Sequence, residues 1–576
     1  MQTGQARLKV LSSDALPAPE GRRLTGPGVL WPYPGAVLDV FFAQFDQERV
    51  ADLWRQHARR LLDAVGWPDE QVTAHAFQGG VTLAISAPPD QLYASVSVAE
   101  AAWHFCAAAL LDEPPGDLAA AVLGLKEEMA AEANPALLRL VAAARARGLD
   151  ALCDEDTVSI GHGAGSQSWP MPGLPDPADV NWDILHNIPV ALITGTNGKT
   201  TTTRLCAAIG RAAGRVAGLT STDVVQIGGR VLEEGDFSGP GGARLLLRDR
   251  TLEIGFLEVA RGGILRRGLP VERAMAAAVL NVSADHLGEY GVNTVEALAE
   301  AKFAVRRGLA AGGVMVLDAD DPLVVAQSEQ TPSASWWFGL DAGAAKIVQA
   351  RADATPCAWL EGTDLVFFDG NALHHLISVA LLPVSLNGRA RHNILNALAA
   401  ICLTRALGVG YAAISAGLAG FQSNTTDNPG RLNAFSIQGA QVYVDFAHNP
   451  QSIAAVTSTL QGTPAKRRFV MISHAGDRSD EDIRGLVRGA FALHPDYVVA
   501  TELEGYLRGR KPGEIPDLIE RTCLDLGMSP QNVLRAASPK KGAARILAML
   551  EPGDLALLLV HSERDEIFAL LNEAAG

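Results

Sequence analysis

A chain of 576 residues, 48% hydrophobic and with a formal net charge of −16, has the length for roughly three or four domains and the apolar content for several cores. It contains no lysine- or arginine-rich run, which excludes nucleic acid and anionic membrane surfaces as partners. No uninterrupted apolar span is long enough to cross a bilayer, and the opening Met-Gln-Thr-Gly-Gln-Ala-Arg-Leu-Lys-Val lacks a signal-type apolar run. Cys106, Cys153, Cys206, Cys357, Cys402 and Cys523 are scattered, with no Cys-x-x-Cys pair. They read as buried thiols of a cytoplasmic protein, not as a disulfide frame or zinc site.

Residues 1–130 form a first unit. It holds a predicted strand over Val81–Ile85 and a helix over Val98–Leu111, closed by Pro114-Pro115. Residues 117–147, rich in Ala, Leu and Glu, read as two helices broken near Asn134-Pro135. The interval 131–185 is therefore a helical segment followed by a Gly/Ser/Pro-rich connector, 161–179. From 186 to 427 short apolar strands alternate with helical stretches, most clearly at Glu253–Glu258, Met275–Asn281 and Gly313–Leu317. That alternation predicts a mostly parallel sheet with helices on both faces. A break at Thr425-Thr426-Asp427-Asn428-Pro429-Gly430 opens a last domain, 428–576, with strands at Val442–Phe446, Arg468–Ile472, Tyr497–Thr501 and Asp554–Val560. The fold class expected is α/β. An α+β N-terminal domain precedes a central P-loop-type domain and a Rossmann-like C-terminal domain.

The densest signal lies at 189–206. An apolar run ends in Gly195-Thr196-Asn197-Gly198-Lys199-Thr200-Thr201 and passes into a helical stretch. Glycines let backbone N–H groups approach phosphate oxygens, the helix start favours an anion, and the lysine adds a point charge. A hydroxyl directly after the lysine suits a magnesium ligand. The position five before Gly198 is Ile193, not glycine, so the spacing departs from the ordinary nucleotide loop.

Three further residues stand at places where chemistry is common. Glu258 closes an apolar strand, where open parallel sheets bind ligands, although a strand-end glutamate also serves as a solvated or capping residue. Asp285-His286 follows another apolar strand, and His286 fits either a metal ligand or a hydrogen-bonded structural role. Lys302 follows on a helical segment, where a lysine is most simply solvated.

The form Gly-Thr-Asn-Gly-Lys-Thr, then strand-end Glu258, Asp285-His286 and helical Lys302, resembles the Mur ligases at each step. Those enzymes use ATP to join an amino acid to a carboxylate. The resemblance implies ATP and Mg2+. The nucleotide would lie on Gly195 through Thr201, and the metal on Thr200, Glu258, His286 and a carbamylated Lys302. Arg391-His392-Asn393-Ile394-Leu395-Asn396 resembles the family's adenine-side helix and assigns Asn393 and Asn396 to the nucleotide. Asn428-Pro429-Gly430-Arg431 and Asp445-Phe446-Ala447-His448 resemble its hinge arginine and last nucleotide-contacting loop. Arg431 would then act on transferring phosphate charge.

Within that family, Thr220–Asp223, Gly235–Pro240 and Glu258-Val259-Ala260-Arg261-Gly262-Gly263 are similar to the Mur-type half of cyanophycin synthetases. The first 130 residues are also similar to the N-terminal region of those enzymes, notably around Gly79–Ala87. They lengthen a poly-aspartate backbone whose side chains carry arginine. Arg261, Asp477, Arg478, Asp480, Arg508 and Arg510 are the candidate substrate residues. The roughly fifty residues between the two similar regions are too few for the ATP-grasp domain that such synthetases carry there. The partners implied are a small amino acid and a peptide or polymer acceptor. A separate cyanophycin-type synthetase would supply the acceptor, and a homo-oligomer is compatible. An arginine-adding subunit is one form of this reading. The alternative is a non-catalytic ATP-binding regulatory or scaffolding subunit, which loss of Lys199, the metal residues or Lys302 would have favoured.

Overall fold

The computed structural model describes residues 10–575; the opening residues 1–9, where no signal-type run is read, lie outside the described residues. The chain divides into two compact units. One runs to Trp337 and takes in Cys402–Gly410, and the other comprises Phe338–Ile401 and Tyr411–Gly576.

The first unit begins with an antiparallel sheet in the order Glu20–Leu24, Gly35–Phe41, Gly80–Ser86, Val72–Phe77. Helix Gln47–Val65 lies on it because Val50, Trp54, Ala58, Leu61 and Val65 recur at helical spacing and are all buried. Asp46 caps its first turn by accepting from the Arg49 N–H at 2.8 Å, and Gly66 ends it at φ 96°. Helix Leu92–Leu111 starts six residues before the sequence-based expectation. It also corrects the reading that no apolar span is long enough for a bilayer. Among the described residues it alone has that length and hydropathy, and 67% of its apolar window is buried. Its Trp103 and the Trp54 of its neighbour are both buried in one core cluster. Helices Leu118–Glu132 and Pro135–Arg145 follow, broken at Asn134-Pro135 as expected. The connector is not bare loop, because Gln167–Pro170 pairs with Thr157–Ile160 in a small antiparallel sheet.

The central sheet places the phosphate loop. Its strands run in the order Arg230–Glu234, Val224–Ile227, Ala217–Thr220, Ile254–Glu258, Val190–Thr194, Ala274–Val279, Leu309–Asp318. The last five are mutually parallel, and the two at the edge are antiparallel. Val190–Thr194 is buried on both faces, as a central parallel strand must be. Register sets Glu258 opposite Ile193 and Val279 opposite Thr194. The loop after Thr194, the end of the Glu258 strand and the segment after Val279 therefore emerge at one carboxyl edge.

In the second unit Cys357–Glu361, Asp364–Phe368 and Leu373–Ser378 form an antiparallel trio inside a stretch expected to alternate strand and helix. The connections, of two residues at Gly362-Thr363, where Gly362 turns at φ 62°, and of four at 369–372, leave no room for a crossover helix. The C-terminal sheet runs Asn433–Ile437, Ala440–Asp445, Leu555–Leu559, Arg468–Ile472, Tyr497–Thr501, Val533–Ala536. Only the first pair is antiparallel, and apolar clusters cover both faces. All six cysteines carry free thiols.

Candidate active site

Gly198 turns the loop at φ 85° and caps helix Lys199–Ala212, so the first N–H groups of that helix face the loop. Gly195 has a second reason to be glycine, because a Cβ there would come 2.9 Å from the Leu280 Cβ. The loop is stitched to the next strand end. The Thr196 N–H donates to the Asn281 carbonyl at 3.0 Å, and the Asn197 N–H donates to the Asn281 side chain at 2.8 Å. The Ser283 N–H donates to the Thr196 hydroxyl at 3.0 Å. The Lys199 ammonium donates to the Thr196 carbonyl at 3.0 Å, which folds the lysine over its own loop.

Thr200, on the first turn of the helix, donates its hydroxyl hydrogen to the Glu258 carboxylate at 2.9 Å. Both are buried. A hydroxyl and a carboxylate beside a phosphate-type loop are hard oxygen donors, which fits magnesium. Among the described residues no three His, Cys, Asp or Glu side chains converge as a metal cage.

His286 stands in left-handed backbone at φ 54°. Its Nδ1 lies 3.2 Å from Glu289, which also pairs with Arg261. Arg261 donates in addition to the His286 carbonyl. Burial alone would raise the Glu289 carboxyl, but His286 and Arg261 outweigh it and hold the carboxyl below its ordinary value. Glu289 was missed from sequence because it organises other residues and lies outside any motif. Lys302 is 3% exposed and so is not a solvated helix residue. Burial first, then the charges of Lys199 and Arg261, push its pKa well below the ordinary lysine value, with Asp285 opposing.

In the second unit, buried Asn393 donates to the Val384 carbonyl at 3.0 Å and accepts from the Asn396 amide at 3.1 Å. Asp445 accepts from the N–H groups of Leu432 and Ala447 at 2.8 and 2.7 Å, tying the turn around Arg431 to the strand end. Burial raises the Asp445 carboxyl against the pull of Arg431. The Arg431 guanidinium lies 4.7 Å from the Phe446 ring centroid. The candidate substrate residues pair with one another: Arg508 with Asp477, and Arg510 with Asp480 at 2.8 Å. Arg510 also donates to the Arg478 carbonyl at 2.7 Å.

Two histidines escaped the sequence reading. His561 Nε2 is 3.0 Å from the Ala447 carbonyl, and its Nδ1 is 3.2 Å from the Ser473 hydroxyl. His474 Nε2 is 3.1 Å from the His448 carbonyl. A carbonyl only accepts, so the His561 ring donates to Ala447, while the His474 ring, whose Nδ1 also lies 3.3 Å from the Ala475 carbonyl, donates to one of its two carbonyl neighbours. Burial lowers His561 to about 3 and His474 to about 4. Only the strand order Ala440–Asp445, Leu555–Leu559, Arg468–Ile472 brings the three segments together.

The Mur ligase middle domain matches residues 193–404, and the Mur ligase glutamate ligase domain matches 430–559. Cyanophycin synthetase from Nostoc sp. (strain PCC 7120) is 37% identical over 334 residues, 58% of this chain and 37% of that protein. The chain thus spans little more than a third of the length of the cyanophycin synthetases it matches. UDP-N-acetylmuramate–L-alanine ligase from Halorhodospira halophila is 32% identical over 340 residues, 57% of this chain and 61% of that one. The solved structure of E. coli FolC in complex with DHPP and ADP shares the fold with TM-score 0.50 and 19% identity, over 67% of this chain and 89% of that chain. With its phosphate loop in the first of these domains and its Asp445–His448 loop in the second, the chain belongs to the Mur ligase family.

Proposed function

We propose that this chain is an ATP-dependent amide ligase. It would phosphorylate a substrate carboxylate to an acyl phosphate, which an amino group then attacks; the tetrahedral intermediate collapses and phosphate leaves. The buried Thr200–Glu258 pair beside the Gly195–Thr201 loop is the observation that carries this reading. The loop N–H groups and Lys199 would hold the β- and γ-phosphates. Magnesium, held by Thr200, Glu258, His286 and the Lys302 carbamate, would neutralise charge on the transferring phosphoryl group. Asn393 and Asn396 would take the adenine side, with Arg431, Asp445 and His448 completing the nucleotide contacts.

Burial supports the carbamate. An amine kept neutral has a free lone pair for carbon dioxide: the N–C bond forms, one N–H proton is released, and the side chain becomes an anion. A buried ammonium beside Lys199 would be doubly unfavourable, whereas the anion suits a metal.

The similarity to cyanophycin synthetase supports an aspartyl or cyanophycin-like peptide as the acceptor and an amino acid as the amine. Because Arg508 and Arg510 are paired to Asp477 and Asp480, this cluster would receive a zwitterionic amino acid by exchanging partners, with no net charge to neutralise. The test is a phosphate-release screen of amino acids against aspartyl peptides, with the product weighed by mass spectrometry. One phosphate per new amide is expected. Phosphate release that no amine and acceptor together stimulate would contradict the reading.

A further inference from the structure

Six arginines gather on one flank of the first unit, against the grain of an acidic chain. Arg22 and Arg23 lie on strand Glu20–Leu24. Arg244 and Arg248 lie on and just after helix Pro240–Leu247, and Arg266 and Arg267 end helix Arg261–Arg267. Two hydrogen bonds hold two of these segments together. The Thr25 N–H donates to the Arg267 carbonyl at 2.8 Å, and Arg22 Nε donates to the Leu265 carbonyl at 3.0 Å. Arg22 and Arg266 share one ring, 5.1 and 5.9 Å from the Tyr290 centroid, and Arg23 lies 3.5 Å from the Tyr93 centroid.

Carboxylates answer only part of this charge. Asp39 pairs with Arg22 at 2.5 Å, Asp154 with Arg248 at 2.5 Å, and exposed Glu155 lies 3.5 Å from Arg23. Among the described residues Arg244, Arg266 and Arg267 have no carboxylate within ion-pair distance, and Arg266 and Arg267 are exposed. Burial first, then the neighbouring charges of Arg23, Arg266 and Arg22, lower Arg267 from the ordinary arginine value. Planar guanidinium forks match carboxylates two oxygens at a time. Helix Arg261–Arg267 begins three residues after Glu258, so its last turn lies on the order of 10 Å further on.

We propose that this flank is a docking surface for a carboxylate-rich peptide, gripping an acceptor a few residues away from its reacting end. The proposal rests on the ligase reading for the word acceptor. A peptide fits better than a nucleic acid, because guanidiniums already cover the Tyr93 and Tyr290 faces on which bases would stack.

The experiment measures binding of fluorescein-labelled deca-aspartate to the full chain by anisotropy, across a salt series. Wild type is expected to bind, more weakly as salt rises. Arg266→Ala/Arg267→Ala should raise Kd about tenfold, and Arg266→Lys/Arg267→Lys should keep most of the affinity. Arg49→Ala/Arg60→Ala, which removes the same charge from helix Gln47–Val65, should change Kd less than about twofold. Equal Kd for wild type and the Arg266→Ala/Arg267→Ala protein overturns the proposal, and so does displacement by poly-uridylate at matched charge. ATP turnover by wild type is read in the same samples, so failure of the ligase reading shows there and not in the binding curve.

Discussion

The Thr200 hydroxyl and the Glu258 carboxylate meet at 2.9 Å, although 58 residues apart in sequence. One sits on the first helical turn after the phosphate loop, and the other ends the neighbouring parallel strand. The contact follows from register: Glu258 stands opposite Ile193, two residues before Gly195. Thr200→Val keeps the shape and removes the hydroxyl. It should cost about 1–3 kcal/mol of stability, since the buried carboxylate loses a donor. Magnesium-dependent ATP turnover should fall about 100-fold or more, while Thr200→Ser stays within about tenfold of wild type. A magnesium titration of turnover checks this; equal turnover by the Val and wild-type proteins would count against the pair.

Lys302→Ala should lose most ATP turnover and recover part of it when a short carboxylic acid is added, because the acid restores an anionic oxygen. Wild-type turnover should fall in carbon-dioxide-depleted buffer and return with bicarbonate, whereas the rescued variant should ignore bicarbonate. Wild-type turnover by Lys302→Ala in depleted buffer would remove the carbamate.

His474 and His561 give the second unit a pH signature. Unfolded, each titrates near 6.5; folded, burial holds them at about 4 and about 3. Below 6.5 the unfolded chain therefore binds more protons, so stability is full above pH 6.5 and is lost as pH falls toward 4 and 3. The slope is roughly 1.4 kcal/mol per pH unit for each histidine. Melting points between pH 7 and pH 5 should fall less steeply for His474→Asn than for wild type. Parallel curves would mean that His474 is protonated in the folded loop.

The phosphate loop was readable because its signal is local: an apolar run, followed within seven residues by two glycines, a lysine and a hydroxyl. The parallel strands ending at Glu258, Ile472 and Thr501 were readable for a similar reason, since burial on both faces leaves nearly continuous apolar runs. Strands Glu20–Leu24 and Arg230–Glu234 stayed hidden because edge strands expose charged residues and show no such run. Helix Leu92–Leu111 was shortened because Tyr93–Val98 alternates small polar and apolar residues like a strand, and tertiary packing overrides that pattern. His474 and His561 lie on different strand ends, and no spacing links either to Ala447 or His448. Lys302 shows the same limit. Its position was plain from the family pattern, whereas its burial depended on how helix Val295–Phe303 packs.

Acyl phosphate formation leaves an atom-level trace. When the activated carboxylate carries 18O, collapse of the tetrahedral intermediate moves one labelled oxygen into the released phosphate. The measurement uses an aspartyl peptide with 18O-labelled carboxylates, an amino acid, ATP and the wild-type chain, with Lys199→Ala as control. One 18O per phosphate from wild type, and no phosphate from the variant, is the expected result. Amide product accompanied by unlabelled phosphate, or equal phosphate from Lys199→Ala, would contradict carboxylate activation at the Gly195–Thr201 loop.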